Sequence, residues 1–341
     1  MHRVTLKDIA QATGFSINTV SRALNDRPEI NQQTKARICA EAEKLGYRPN
    51  RLAQALRQRQ SGLIGVVVTD IEDPFFGTVV KSIQKASRAS GHRIILQITD
   101  ENPELEREAI QVLLSQHVDG VIICPVQQNA DCVHDLERNG VRTVLVGRRF
   151  VDIDCSYVIP NDEQAGYLEA KHLIQLGHKK IGYVNASDHI SSAQERGKGF
   201  VHAHLEFGVE TQNQWMKYGA LSADEGYALA RELLDESPEL TAIACFSDLV
   251  ALGVLRAADE MGRSVPADLS VVGIDDTEFA ATYPLSLTTV RSPKGELGRA
   301  SMRAVCELLN SSDGAPAAPI QEVLDMELIV RKSSGPPGEL S

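Results

Sequence analysis

Residues 5–24 read TLKDIAQATGFSINTVSRAL, and the pattern in this stretch decides the architecture of the amino-terminal end. Thr5 stands before Leu6, Ile9 and Ala10, and Asp8 follows it by three residues, the arrangement of a capped helix start. Gly14 breaks the pattern. Ser16 is placed to cap a second helix whose inward face is Val20, Ala23 and Leu24. Beyond residues 25–28, a third helix shows Ile38, Ala42 and Leu45 at spacings of four and three, and Gly46 ends it. Three short helices with a glycine turn between the first two describe an all-α helix-turn-helix domain over residues 1–46.

Positions 17, 18, 21 and 22 of the second helix point away from its apolar face. Arg22 can pair bidentately with guanine, Asn18 with adenine, and Ile17 can touch a thymine methyl. Ser16, Thr19 and Ser21 are short hydroxyl donors suited to phosphate contacts that fix register. Any exposed helix carries polar side chains, so no one residue decides the matter. Charge adds weight. Residues 1–60 hold eleven Lys/Arg against five Asp/Glu, whereas the remainder carries a balance of −17. A basic head on an acidic body directs the head alone toward a polyanion.

Residues 47–60 form a distinct connector. Asn50 can cap a helix of about two turns, too short to persist alone, flanked by Arg48, Arg51, Arg57 and Arg59. Its Leu52 and Leu56 share one face. Two such hinge helices packed by their leucines would lie on a minor groove and press Leu56 between base pairs; a plain linker helix is the simpler alternative.

From Leu63 onward the rhythm changes. Apolar runs at Leu63–Val68, 94–98, 120–124 and 143–147 alternate with helical stretches, and a second series follows at 180–184, Ala242–Cys245 and 270–273. Continuous apolar strands alternating with helices indicate parallel sheets covered on both faces. The length, residues 61–332, exceeds one doubly wound sheet, so two α/β lobes are expected. The tail 333–341, rich in Gly and Pro, reads as disordered.

Thr5–Ala10 in sequence, Gly14, Thr19-Val20-Ser21-Arg22 and Leu45-Gly46-Tyr47-Arg48-Pro49-Asn50 resemble the amino-terminal signature of the LacI/GalR family of bacterial transcription regulators. The resemblance continues through Asp73-Pro74-Phe75-Phe76, Val118-Asp119-Gly120, Leu176-Gly177-His178, Arg196 with Gly199-Phe200, and the run from Ser270 to Asp276. It covers residues 4 to 332, and the body is most similar to the galactose-repressor branch. The resemblance implies a periplasmic-binding-protein-like (type I) body, a first lobe of about 61–160 and 293–322, and a second of about 161–290 and 323–332. It implies a homodimer on a pseudo-palindromic double-stranded operator, with base contacts from Ile17, Asn18 and Arg22 and minor-groove contacts from Ala53 and Leu56. It also implies a small effector, a sugar or sugar derivative, between the lobes.

Loops at the strand carboxyl ends, where ligands of such sheets sit, carry a polar set: Asp73, Phe75, Phe76, Arg148, Arg196, Ser247 and Asp275. An aromatic pair beside carboxylates suits a sugar, although Phe75 and Phe76 also read as helix core and Arg148 as an ion pair. Asp248 reads as a helix cap. Where some sugar-binding members carry an aromatic stacker, this chain has Leu221. His172 and His178 read as surface or capping residues.

Other classes fit poorly. Apolar residues make up 43% and charged residues 24%, which excludes disordered and collagen-like chains. No apolar run approaches the ~18–20 residues that cross a bilayer, and His2, Arg3, Lys7 and Asp8 are unlike a secretion signal. The six cysteines lie 8 to 90 residues apart with no Cys-x-x-Cys, as expected for free thiols in the cytoplasm. Phosphate-loop, dinucleotide, nucleophile-elbow and zinc-protease motifs are missing from the sequence, so neither an enzyme nor a bound cofactor or metal is expected. Within the family, a corepressor-type regulator answering to a purine or a phosphoprotein is the competing reading; a sugar-binding protein without DNA activity is a remoter one.

Overall fold

The computed structural model describes residues 4–47, 61–282, 286–311 and 318–338. The hinge expected at 47–60, with Asn50, Ala53 and Leu56, lies outside the described residues apart from Tyr47. The chain divides into two compact units at Ser61 and Gly62, and each is treated by itself.

In the head, α1 (Leu6–Thr13), α2 (Ile17–Leu24) and α3 (Gln32–Lys44) enclose a small core of Ile9, Val20, Ala23, Ile38 and Ala42. The Thr5 amide donates to Asp8 Oδ2 at 2.7 Å, satisfying a donor that a helix start leaves orphaned. Gly14 takes φ 76°, and its amide closes α1 on Ala10 O at 2.9 Å. A side chain is strained in that left-handed conformation, which is why glycine makes the turn between α1 and α2.

The body holds two six-stranded sheets. In the first, strands β1 (Leu63–Val68), β2 (Arg93–Ile98), β3 (Gly120–Ile123), β4 (Arg142–Val146), β5 (Ser156–Pro160) and β11 (Gln321–Leu324) lie in the order β11-β5-β4-β3-β1-β2, all parallel. In the second, β6 (Ile181–Asn185), β7 (Met216–Tyr218), β8 (Ala242–Cys245), β9 (Ser270–Asp275), β10 (Thr288–Arg291) and β12 (Glu327–Ile329) lie in the order β12-β10-β9-β8-β6-β7, with β12 alone antiparallel to its neighbour. Central strands β3, β6, β8 and β9 are buried along their whole length, so they read as unbroken apolar runs rather than alternating ones.

Helices α4 (Pro74–Ala89), α5 (Pro103–Ser115), α6 (Asp131–Arg138) and α11 (Lys294–Asn310) cover the first sheet. Helices α7 (Asp162–Gln175), α8 (Ser191–Phe207), α9 (Ala223–Glu236) and α10 (Asp248–Glu260) cover the second. The chain leaves the first sheet after Pro160, leaves the second after Arg291, and passes between sheets again after Leu324. The first lobe therefore runs past residue 322, because Leu324 still pairs with Pro160 in the β11–β5 ladder.

The segment following β12 is a correction. Its composition suggested disorder from Ser333, yet Ser333–Gly335 are threaded against the second sheet. Ser333 O accepts from the Val271 amide at 2.8 Å, Ser333 Oγ donates to Val271 O at 2.6 Å, and the Gly335 amide donates to Ser270 Oγ at 3.0 Å. Backbone polar groups at the sheet margin supply partners that composition does not reveal. The same contact overturns the surface reading of two histidines. His178 is buried between Thr241 Oγ1 at 2.8 Å and Gly335 O at 2.8 Å, and His172 Nε2 lies 2.8 Å from Ser334 Oγ.

Burial lowers the affinity of the His178 imidazole for a proton below its ordinary value near 6.5. The unfolded chain therefore accepts a proton, as pH falls through that value, that the folded chain refuses. Replacement His178→Gln is expected to cost about 1–3 kcal/mol at pH 8 through lost buried hydrogen bonds. The difference from the natural protein should shrink below pH 6.5 in denaturant melts. A pH-independent difference would show that folding leaves the proton affinity of His178 unchanged.

Candidate nucleic-acid interface and ligand cleft

The outward face of α2 is built as the sequence suggests. Val20 and Ala23 are buried, whereas Ile17 remains 50% exposed and Asn18 and Arg22 stand in solvent. Ser16 caps the helix: its Oγ accepts the Thr19 amide at 3.1 Å and lies 2.9 Å from Thr19 Oγ1. These two hydroxyls are thus tied to one another, and each retains capacity for one more partner. Asn18, Ser21 and Arg22 border a polar hollow of about 350 Å³. Arg22 makes no ion pair among the described residues, so a positive fork, an amide and an aliphatic group share one short exposed helix.

In the body, a cleft of about 600 Å³ opens where the carboxyl ends of the two sheets face each other. Asp73, Phe75, Phe76, Arg148, Arg196, Ser247 and Asp275 all stand on its wall. Their structural duties differ. Asp73 caps α4 by accepting the Phe75 amide at 2.8 Å. Phe75 and Phe76 meet edge to face with centroids 5.0 Å apart, and Phe75 also closes the first-lobe core. Ser247 caps α10, taking the Val250 amide at 3.2 Å.

Each lobe contributes one buried guanidinium. Arg148, after β4, forks onto Glu101 at 2.9 and 2.5 Å and donates to Pro125 O at 3.1 Å, all inside the first lobe. Arg196, on α8, gives its Nε to Asp162 Oδ1 at 2.7 Å and its Nη1 to Phe246 O. The Arg196 guanidinium also stacks over the Phe246 ring at 4.5 Å. Its Nη2 makes no protein hydrogen bond among the described residues. Burial pushes the Asp162 carboxyl up to about 6 even against the attraction of Arg196, a measure of how dry the site is.

Asp275 ends β9 at φ 116°, a backbone conformation seldom adopted by residues with a side chain. It is buried, and its Oδ1 has no hydrogen-bond partner. Burial raises its proton affinity well above the ordinary value, Arg196 opposes this, and the neighbouring Asp73 adds to it. A buried acceptor left unmatched costs free energy that a hydroxyl-bearing ligand would recover. Asp248, expected to be a cap, has a different role: its carboxylate accepts from the Thr277 amide at 2.7 Å, Thr277 Oγ1 at 2.8 Å and Thr289 Oγ1 at 2.6 Å. It thereby fixes the turn that carries Asp275.

Sequence reasoning missed Glu101 and Asp162. Both follow strand ends, after β2 and β5, so a search for carboxylates at those ends would have found them. It also missed the contacts that hold the lobes against each other beside the cleft. Arg149 Nη2 pairs with Glu195 Oε1 at 2.6 Å, the Arg149 amide donates to Ser191 Oγ at 3.1 Å, and Gln127 Oε1 accepts the Ser191 amide at 2.9 Å.

A short exposed reading helix on one unit and a two-lobed ligand cleft on the other define a DNA-binding transcription regulator, and comparison with known proteins agrees. Residues 5–50 match the model of bacterial regulatory proteins of the lacI family, and residues 61–320 that of periplasmic binding proteins and the sugar binding domain of the LacI family. The chain belongs to the LacI family and is not an enzyme. It is 30% identical over 333 residues to the transcriptional repressor PurR of Mannheimia succiniciproducens, spanning 96% of this chain and 98% of that protein. It is 29% identical over 334 residues to the regulator GalR of Escherichia coli K12, spanning 98% and 96%. Such similar values do not favour the galactose branch over the purine one. The structure of the lac repressor dimer bound to operator and the anti-inducer ONPF matches 98% of this chain and 100% of that one, at 28% identity and a TM-score of 0.87.

Position of Arg196 depends on a close helix contact. A Cβ on Gly166 of α7 would come within 1.9 Å of Arg196 O, and one on Gly199 of α8 within 1.9 Å of Glu163 O. Gly166→Ala is therefore expected to force α7 and α8 apart at a cost of about 1–3 kcal/mol, measured by urea unfolding. An unchanged midpoint would mean that the helices have room to separate freely.

Proposed function

We propose that this protein represses carbohydrate-utilisation genes as a cytoplasmic homodimer whose operator affinity is set by a small sugar-like effector in the cleft. The observation that carries the effector class is the pairing of an unmatched acceptor, Asp275 Oδ1, with an unmatched donor, Arg196 Nη2, on one wall. A polyol supplies hydroxyls that donate to the first and accept from the second. The edge of the Phe75–Phe76 pair offers the apolar surface that sugar C–H groups seek. Leu221 in place of an aromatic stacker, together with the PurR likeness, favours a purine corepressor as the second reading.

On the head, Arg22, Asn18 and Ile17 read base edges while Ser16, Thr19 and Ser21 hold phosphates. The hinge contacts assigned to Asn50, Ala53 and Leu56 complete the interface at the centre of a pseudo-palindrome. Linkage follows from the body. A ligand that binds one arrangement of the lobes more tightly than another shifts their balance by its differential affinity, typically about 1–3 kcal/mol. The Arg149–Glu195, Gln127–Ser191 and Lys294–Asp276 contacts are among those that would adjust. An operator titration against a panel of sugars and purines tests the sign and the class together; if a purine alone tightens binding, the sugar reading fails.

Substitution Arg22→Ala is expected to cost about 1–3 kcal/mol per half-site and to relax base choice at one position. Equal losses on operator and scrambled DNA in gel-shift assays would instead mark Arg22 as a phosphate contact. Substitution Asp275→Asn is expected to leave operator affinity in place and to abolish the effector response in the same titration. Full retained response would remove Asp275 from the ligand site.

A further inference from the structure

On the second lobe, α8 and the edge strand β7 border a second cavity of about 580 Å³ that shares no lining residue with the cleft. This volume lies within the range that small-molecule sites occupy. Its walls are apolar: Val201 and Leu205 from α8, and Met216 and the Tyr218 ring from β7. Leu205 is 76% exposed and Tyr218 53%, two large apolar groups on one surface with nothing packed over them. The same cavity is lined by two oppositely charged side chains, Asp188 and Lys198. Neither makes a side-chain hydrogen bond or ion pair among the described residues. Of the other lining polar groups, the buried Tyr183 hydroxyl also lacks a partner among the described residues, whereas Asn185 and Gln194 are committed. Asn185 Nδ2 donates to Ala193 O at 2.9 Å, Gln194 Nε2 donates to Asp188 O at 2.6 Å, and His202 lies 4.0 Å from Glu163.

From this we infer that the cavity is a binding site for a small amphipathic zwitterion, an α-amino acid with an apolar side chain being the simplest. Its carboxylate would meet Lys198, its ammonium Asp188, and its side chain the Val201, Leu205 and Met216 wall. The charge pattern disfavours the neighbouring classes by the modest energy of exposed ion pairs. A simple organic acid gains Lys198 but faces Asp188 uncompensated, and an amine has the opposite problem. A sugar would leave the apolar wall unmatched and two charges unpaired.

The experiment is an isothermal calorimetric titration of the full chain with L-leucine, and with 4-methylpentanoate and isoamylamine as its charge-truncated counterparts. L-Leucine is expected to give a saturable change, with each counterpart weaker by about two- to fivefold. Lys198→Ala and Asp188→Asn, both at exposed positions, should each weaken L-leucine by a similar factor without altering operator binding. Absence of saturation, equal binding of either counterpart, or indifference to both substitutions overturns the proposal. Because operator binding and the sugar panel do not enter this readout, its failure leaves the cleft reading standing.

Discussion

A guanidinium removed from water has to be neutralised where it lies, and the Arg196 side chain imposes that demand at the centre of the second lobe. Asp162, at the start of α7, supplies the opposing charge. Phe246, after β8, supplies a carbonyl and a ring face. One side chain thus ties together two helices and a strand end, with the free Nη2 left toward the cleft. Burial of such a pair is expensive, and it survives only with satisfied geometry. That geometry depends on Gly166 and Gly199, whose missing side chains let the backbones of α7 and α8 touch.

The first lobe repeats the device with different residues, since Arg148 is neutralised by Glu101 within its own lobe. Neither strong pair crosses the cleft. The lobes are joined beside it by the partly buried Arg149–Glu195 pair and the Gln127 and Ser191 contacts. Partly exposed pairs of this kind hold geometry weakly, which leaves the balance between lobe arrangements sensitive to a ligand. Rigid walls and a soft junction are the combination a binding-driven switch needs.

Much of this was legible in the sequence, and the failures have causes. The head was read well because Val20, Ala23, Ile38 and Ala42 repeat at helical spacing, and local periodicity is what a sequence displays best. Continuous apolar runs exposed the central strands for the same reason. Strand β5, the short strands β7, β11 and β12, and β10 escaped because three to five residues of mixed character carry no clear period; β11 and β7 also find their partners far away in the chain, as Leu324 does in Pro160. The segment at Ser333 looked unstructured because it gains its order from Ser270 and Val271, not from itself. Among cleft residues, Asp73, Arg148, Arg196 and Asp275 were named from the sequence, whereas Glu101, which also lines the cleft, and Asp162, which holds Arg196, were not. Asp162 and Glu101 matter through a partner, and a partner is a tertiary fact.

The two sheets are not consecutive pieces of chain, since strand β11 returns to the first after β10 has finished most of the second. Anyone hoping to graft a new specificity by exchanging a lobe as a single cassette would have to splice at three seams, near residues 161, 292 and 325. Recombination between relatives is under the same restriction. A single crossover within the body leaves one sheet with strands from two parents, so altered recognition is more readily reached by changing residues along the cleft.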